Sequence, residues 1–121
     1  MKIYCFGNEY IESDSMAKKI ADELKISGVE FIKTDSVEGI KGDIVILDVV
    51  KVIKEVKLIT DLNKIKEFYP ITCHDFDLGT ELKLRKTIGE INSVKIIGVP
   101  MHGDISEIKS QVVKFINEIR G

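Results

Sequence analysis

Short, nearly continuous hydrophobic runs recur along the chain, separated by stretches in which hydrophobic residues have helical spacing. Such runs, when bounded by turn residues, are typical of strands that are buried on both faces. Four runs predict strands, at residues 2–6, 29–32, 43–48 and 94–99. The segment 49–66 fits either a strand or a partial helix, and we prefer a strand near residues 54–60.

Three stretches carry hydrophobic residues at intervals of three and four, the spacing of one helix face. The first follows Ser13, a residue suited to cap a helix, and we expect this helix to end at Gly28. The second is expected to end at Gly89, and the third to start with Asp104 and Glu107 as a capping pair. The residues that suit the second helix are Leu78, Leu82, Leu84, Arg85 and Ile88. The first and third helices each have one hydrophobic face, expected to be core, which consists of Met16, Ile20 and Leu24 with Ala17 and Ala21, and of Ile105, Ile108, Val112, Phe115, Ile116 and Ile119.

Strands that alternate with helices through short loops predict an α/β fold. We expect three layers, with an open, mostly parallel, twisted sheet covered by helices on both faces. The chain has 121 residues, of which 44% are hydrophobic, enough for one core and too few for a second domain. Residues 1–121 are therefore interpreted as a single domain.

Charge and composition narrow the range of partners. The chain has 18 basic and 20 acidic side chains, a net charge of −2, and no long run of one sign. Neither nucleic acid nor an anionic membrane is favoured as a partner. No hydrophobic run approaches the roughly 20 residues that a membrane-spanning helix needs, and we expect a cytoplasmic protein. Cys5 and Cys73 lack Cys-x-x-Cys spacing and are expected to be reduced, unreactive thiols.

Three residues with metal-binding side chains lie at points that this fold would bring together. Asp14 follows the first strand, Asp48 ends the third, and His74 comes just before the second helix. Ligands of open α/β sheets usually bind beyond the carboxyl ends of the strands, so these side chains are expected to converge there. Two carboxylates and an imidazole suit a divalent transition metal that keeps positions open for further ligands.

Each of these residues also has a purely structural interpretation. Asp14 is placed to stabilise a helix N-terminus, an effect of about 0.3–1 kcal/mol, and Asp48 could be only the polar end of a buried strand. An isolated histidine is more often a hydrogen-bonded surface residue than a ligand. Cys73 and His74 are adjacent, and neighbouring side chains on extended backbone point to opposite faces, so a nucleophilic Cys-His pair is disfavoured.

The local sequences around these residues resemble those of the [NiFe]-hydrogenase maturation endopeptidases. Gly7-Asn8 followed by Asp14 resembles a Gly-Asn, spacer and acidic pair, and Asp48 after Ile46-Leu47 resembles the aspartate that ends the central strand. The segment His-Asp-Phe-Asp-Leu-Gly, at residues 74–79, resembles the histidine motif and is the most specific of the three.

The resemblance implies an endopeptidase that removes a C-terminal extension from the precursor of a hydrogenase large subunit, after nickel has been inserted. Asp14, Asp48 and His74 match the metal-contacting positions and are the implied catalytic residues. Nickel would be carried by the precursor, and another divalent metal could bind the isolated protein. Residues implied in substrate binding are Gly7, Asn8, Asp35 and Gly79.

Some positions depart from the family pattern. Ser13 stands where an aspartate is usual, and Ser15 and Ala17 replace glycines. These departures favour an alternative, a non-catalytic module that binds metal or precursor with the same fold. A nucleotide- or phosphate-binding domain is a third interpretation, but Gly7-Asn8 lacks the Gly-x-Gly-x-x-Gly and P-loop patterns.

Overall fold

The computed structural model describes residues 1–6, 15–34, 36–64, 67 and 78–121. Within these ranges the chain forms five strands, three α-helices and one short 3-10 helix at Leu62–Lys64. In chain order, the strands and α-helices are β1 (Lys2–Cys5), α1 (Met16–Glu23), β2 (Glu30–Lys33), β3 (Gly42–Val49), β4 (Lys57–Ile59), α2 (Leu78–Thr87), β5 (Ile91–Val99) and α3 (Ile105–Arg120).

The five strands form one sheet in the order β2-β1-β3-β5-β4. β1 pairs in parallel with β2 and β3, and β3 pairs in parallel with β5. β4 is antiparallel to β5 and forms one edge of the sheet. The open, mostly parallel sheet predicted from the sequence is confirmed. The strand order reverses between β1 and β3, and such a reversal is where open α/β sheets usually bind ligands.

Helices cover both faces of the sheet, which confirms the three layers. Because side chains alternate along a strand, β3 contributes to two cores. Leu47 and Val49 belong to the core under α1 and α3, and Ile44 and Ile46 to the core under α2. Fully buried helix residues that close the two cores are Ala17, Ile20, Val112 and Ile116 on one face and Leu82 on the other.

The first helix is shorter than predicted. It ends at Glu23, the backbone is extended at Leu24, and Gly28, with a φ of +79°, lies in the turn before β2. Eight residues of helix span about 12 Å, nearly the length of the four-residue strands that α1 connects, so a longer helix would overrun them. The N-cap position is Ser15, which makes no side-chain capping bond. Ser13, the predicted cap, lies outside the described residues.

The second helix is confirmed but ends at Thr87 rather than at Gly89, and the hydrophobic residues in and after it differ in burial. Leu82 is fully buried, whereas Leu84 and Ile88 are 54% and 58% exposed. One side of α2 packs on the sheet through Leu82. Other positions of the helix carry Lys83, Arg85 and Lys86, and Arg85 forms an ion pair with Glu90 in which Nη1 and Oε2 are 2.7 Å apart. A hydrophobic residue in this helix therefore need not be a core residue.

Other boundaries moved by a few residues. β4 is confirmed but covers only Lys57–Ile59. β5 begins at Ile91, because Ile91 and Ser93 pair with Gly42 and Asp43 of β3 across an irregularity at Asn92, and the Ser93 hydroxyl donates to Asp43 Oδ1 at 2.7 Å. Asp104 is confirmed as the cap of α3 and accepts a hydrogen bond from the Ser106 N–H. Among the described residues, none of the helices has the length and hydrophobicity needed to cross a membrane.

Candidate functional site

The carboxyl ends of four strands lie level with one another and form one edge of the sheet, here called the carboxyl edge. Three backbone hydrogen bonds join them beyond the regular pairing. Thr34 N–H donates to Cys5 O at 3.0 Å, Phe6 N–H to Leu47 O at 3.0 Å, and Val50 N–H to Val99 O at 2.9 Å. The connections that follow β1, β2, β3 and β5 therefore all leave from this edge.

Asp48 lies at the carboxyl edge, next to the strand-order reversal. It is the penultimate residue of β3, between β1 and β5, and it is half-buried. Its Oδ1 atom accepts a hydrogen bond from the Val49 N–H at 2.9 Å, which restricts rotation of the carboxylate. Its partner on β5 is Gly98, which has no side chain. The sequence placed Asp48 at the carboxyl end of this strand, and that position is confirmed.

The other predicted site residues are described only in part. Gly7, Asn8, Asp14, Asp35 and His74 lie outside the described residues. Phe6 and Thr34, which directly precede Gly7 and Asp35, follow the ends of β1 and β2 at the carboxyl edge. The meeting of Asp14, Asp48 and His74 therefore stays a prediction. Within the described ranges, no group of three His, Cys, Asp or Glu side chains is arranged to hold a metal ion.

Gly79 lies in the first turn of α2. Only three residues connect the end of α2 to the start of β5, and Leu82 packs in the same core as Val94 and Ile96 of β5. Such a short connection makes the helix run antiparallel to the strand. The N-terminal end of α2 consequently points toward the carboxyl edge, as the interpretation of residues 74–79 requires. A role for Gly79 in substrate binding stays a prediction.

Cys5 lies beside the site but is not suited to nucleophilic chemistry. Its side chain is fully buried, and burial raises the pKa of the thiol to about 12. The nearby Lys33 and Lys18 lower that pKa, and Asp22 and Asp48 raise it, by smaller amounts. Cys5 is unpaired and buried, as expected for an unreactive thiol. Cys73 lies outside the described residues.

Lys18 is a feature that the sequence analysis missed. It lies in the first turn of α1, only 7% of it is exposed, and its charge acts on the Cys5 thiol together with that of Asp48. A buried cation and the carboxylate of the candidate site thus both act on the Cys5 thiol. The only signal in the sequence is that Lys18 follows Ala17, a core residue, and this is too weak to separate Lys18 from the exposed Lys19.

A groove lies at the carboxyl edge, between the loops that follow β3 and β5. Since β5 lies between β3 and β4, the chain must cross the end of β5 to connect them, and residues 50–56 form this crossing loop. Residues 100–104, the exit loop, carry the chain from β5 to α3. Between the two loops and the start of α3 is a cavity of about 510 Å³, here called the edge groove, lined by Val52, Ile53, Lys54, Pro100, His102 and Glu107 among others.

Contacts from β5 and α3 hold the crossing loop in place. The Val56 N–H donates to Gln111 Oε1 at 3.1 Å, and the turn is closed by a 3.4 Å bond from Ile53 N–H to Val50 O. Val50 and Ile53 pack against Gly98, where an added Cβ would lie 2.8 Å from Val50 Cγ2. His102, in the exit loop, is exposed in this groove.

Comparisons by sequence and by structure give different results. No protein-family model matches the sequence, and no curated protein is significantly similar to it. Solved structures do match over nearly the whole chain. The endopeptidase HycI from Escherichia coli has a TM-score of 0.69 at 17% identity, covering 100% of this chain and 92% of its own.

Two archaeal structures match to a similar extent. The [NiFe] hydrogenase maturation protease HybD from Thermococcus kodakarensis has a TM-score of 0.64 at 19% identity, covering 98% of this chain and 99% of its own. A hydrogenase 2 maturation peptidase from a Thaumarchaeota archaeon has a TM-score of 0.61 at 17% identity, covering 99% and 97%. The chain therefore has the fold of the hydrogenase maturation proteases.

Proposed function

We propose that this protein is an endopeptidase that removes the C-terminal extension from the nickel-loaded precursor of a [NiFe]-hydrogenase large subunit. The observation that carries the proposal is Asp48, held at the carboxyl edge in a fold shared with named maturation proteases over almost its full length. The His-Asp-Phe-Asp-Leu-Gly segment ahead of α2 supports it independently, because the N-terminal end of α2 points to the same edge.

In the proposed reaction, one water is consumed and one peptide bond is broken, giving a new carboxyl terminus and a free amine. Asp14, Asp48 and His74 contact nickel that the precursor already carries, so that the metal identifies a substrate ready for cleavage. Gly7, Asn8, Asp35 and Gly79 position the substrate chain around these residues. Much of the rate enhancement comes from holding a water molecule at the right distance and angle to attack the scissile bond. Either the nickel polarises the carbonyl or an aspartate activates the water.

The test is cleavage of purified precursor, followed by intact-protein mass spectrometry. Wild-type protein should shorten the nickel-loaded precursor at its C-terminus and leave the nickel-free precursor intact. Asp48→Asn and His74→Ala should each lower the cleavage rate at least about 100-fold, since each removes a group that acts on the reacting centre.

Asp43→Asn is the matched control, because Asp43 lies on the same strand at the opposite end and is exposed. Its only described side-chain bond here is from the Ser93 hydroxyl, so cleavage should stay near the wild-type rate. Equal loss of activity in Asp43→Asn and Asp48→Asn would reject a specific role for the carboxyl edge.

The second candidate is a non-catalytic module that binds metal or precursor. Its support is the altered first loop, in which Ser13, Ser15 and Ala17 replace residues usual in the family, and Ser15 and Ala17 are buried at the start of α1. A module of this kind would form a stable complex with the precursor without shortening it. Multiple turnover by the wild-type protein would exclude it.

A further inference from the structure

The edge groove has no role in the chemistry proposed at Asp48, yet it opens at the same edge of the sheet. We infer that the edge groove binds the polypeptide substrate next to the scissile bond, as an extended segment that places an aliphatic side chain between the crossing loop and the exit loop. The identity of the substrate as a hydrogenase precursor rests on the proposed function. The presence of a peptide subsite at this position rests on the geometry of the groove.

The backbone of Asp48 and the groove residue Pro100 are separated by only a short length of extended peptide. Asp48 on β3 is directly paired with Gly98 on β5, and neighbouring strands are about 4.8 Å apart. Pro100, which lines the groove, is two residues beyond Gly98, or about 7 Å further along the strand direction. A peptide in extended conformation advances about 3.3 Å per residue, so three or four residues connect Asp48 to the groove. A scissile bond at Asp48 would therefore have its flanking residues within reach of the groove.

The side chains that line the groove are partly hydrophobic and partly charged. Hydrophobic contacts come from Val52, Ile53 and Pro100, and Val52 is 55% exposed although it is a large aliphatic residue. Charged side chains of both signs surround them, with Lys54 and Glu107 as examples. A hydrophobic wall with a mixed polar rim suits a peptide, which presents an apolar side chain together with backbone donors and acceptors.

The lining disfavours an anionic small molecule. Glu55, Asp104 and Glu107 all line the groove, and Lys57 is already paired with Glu55 at 3.2 Å. With Glu55 paired, a nucleotide or phosphate would meet two further carboxylates against one further lysine, Lys54, and this balance of charge does not favour an anion. The volume of about 510 Å³ lies within the range of about 300–1,000 Å³ that ligand sites commonly have.

Contacts within the protein hold both walls of the groove in place. The crossing loop is fixed by the bond from Val56 N–H to Gln111 and by the packing of Val50 and Ile53 on Gly98. The exit loop is fixed at its far end by the Asp104 cap of α3. A preformed groove spares the substrate most of the entropic cost of ordering these loops.

The experiment compares two exposed aliphatic residues that differ in location. Val52→Asp changes the groove, and Ile88→Asp makes the same kind of change in the turn after α2, where Ile88 is 58% exposed and does not line the groove. Both variants should keep the wild-type melting temperature, since substitutions at exposed positions rarely affect stability. Cleavage kinetics and equilibrium binding of the nickel-loaded precursor are then measured for each.

We expect Val52→Asp to raise KM about tenfold or more while kcat changes less than about twofold, because the contact is made equally in the ground state and the transition state. Ile88→Asp should match the wild type. Binding is measured in an Asp48→Asn background, in which cleavage is slowed at least about 100-fold, and Val52→Asp should weaken that binding by a similar factor.

The outcomes separate this inference from the proposed function. If no protein cleaves the precursor but Val52→Asp still weakens binding, the peptidase function fails and the groove assignment holds. If cleavage occurs and Val52→Asp is indistinguishable from Ile88→Asp in KM and in binding, the groove assignment is overturned and the peptidase function holds. Failure of the wild-type protein to bind the precursor at all overturns both.

Discussion

Burial determines the reactivity of Cys5, which lies next to the candidate site. With a pKa of about 12, its thiol is almost wholly protonated at neutral pH, and the thiolate is the reactive form. In a Cys73→Ser background, we predict that native protein at pH 8 reacts with a maleimide at least about 100-fold more slowly than protein unfolded in urea. The reaction is followed by the mass increase of the protein with time.

The control for this prediction is a free cysteine peptide in the same buffers, which corrects for the effect of urea on the reagent. Raising the pH from 8 to 9 should speed the reaction of the unfolded chain and leave the native protein protected, since the native thiol titrates only near pH 12. Rapid labelling of the native protein at pH 8 would contradict both the burial and the raised pKa of Cys5.

Single residues differ in how well the sequence predicts them. Asp48 could be placed because it interrupts a hydrophobic run where a strand must end, and that position alone puts it at the carboxyl edge. Lys18 could not be placed, because its burial depends on how α1 is rotated against the sheet. His74 and Asp14 have specific local motifs, but their meeting with Asp48 depends on connections that lie outside the described residues.

At the scale of elements, the junction of the crossing loop with β5 depends on Gly98. A methyl group there would lie 2.8 Å from Val50 Cγ2 and 3.5 Å from Ile53 Cδ1. We predict that Gly98→Ala lowers the free energy of unfolding by about 1–3 kcal/mol, the usual cost of overpacking a core. Urea denaturation at 25 °C gives the value.

Asn92→Ala is the matched control for Gly98→Ala, because Asn92 is exposed on the same strand and its replacement should change stability by less than about 0.5 kcal/mol. If Gly98→Ala also displaces the crossing loop, its KM for the precursor should rise with that of Val52→Asp. A Gly98→Ala variant as stable as the wild type would show that Val50 can move away without cost.

Gln111 connects α3 to the crossing loop through one hydrogen bond. Replacing it with alanine leaves the Val56 N–H without its described acceptor, at a cost of about 1–3 kcal/mol if no water replaces the side chain. We predict that Gln111→Ala speeds hydrogen exchange at the Val56 amide and raises KM for the precursor. Gln111→Glu keeps an acceptor oxygen and should retain most of the protection. Equal exchange rates in the two variants would argue against this bond.

The strands were predictable where burial on both faces requires a continuous hydrophobic run. The strands β1, β3 and β5 are buried on both faces, so continuous hydrophobic runs reveal them. The end of α1 was misplaced because the length of the strands it connects, rather than its own sequence, limits the helix. Helical spacing does not show how much of a helix the sheet covers, so the exposure of Leu84 and Ile88 could not be predicted from it.

For the whole molecule, strand order decides what the carboxyl edge contains. The rule that ligands bind beyond the strand ends allowed the sequence to predict the edge on which a site would form. The edge groove could not be predicted in this way, because it depends on the strand order. β5 lies between β3 and β4, so the chain that connects β3 to β4 must cross the end of β5. A different order of the same strands would remove the groove and keep Asp48 at a strand end.

The proposed site draws its residues from three separate parts of the chain, so a metal ion bound there would stabilise the native state specifically. Binding to the native state alone raises stability by RT ln(1 + [L]/Kd), about 2.7 kcal/mol at 100 times Kd. We predict that excess Ni²⁺ raises the melting temperature of the isolated protein by several degrees, and that EDTA reverses the rise. For domains near this size, each kcal/mol of added stability raises the melting temperature by about 2–8 °C.

This stabilisation should be absent, or much smaller, in Asp48→Asn, which removes one proposed ligand at the carboxyl edge. Asp43→Asn should respond as the wild type does, because its carboxylate lies at the opposite end of β3. The ion at the predicted site should bind more weakly as the pH falls through the range in which histidine gains a proton, since only neutral imidazole is a ligand. Equal shifts in all three proteins would place the nickel elsewhere on the surface and leave Asp48 without a metal-binding role.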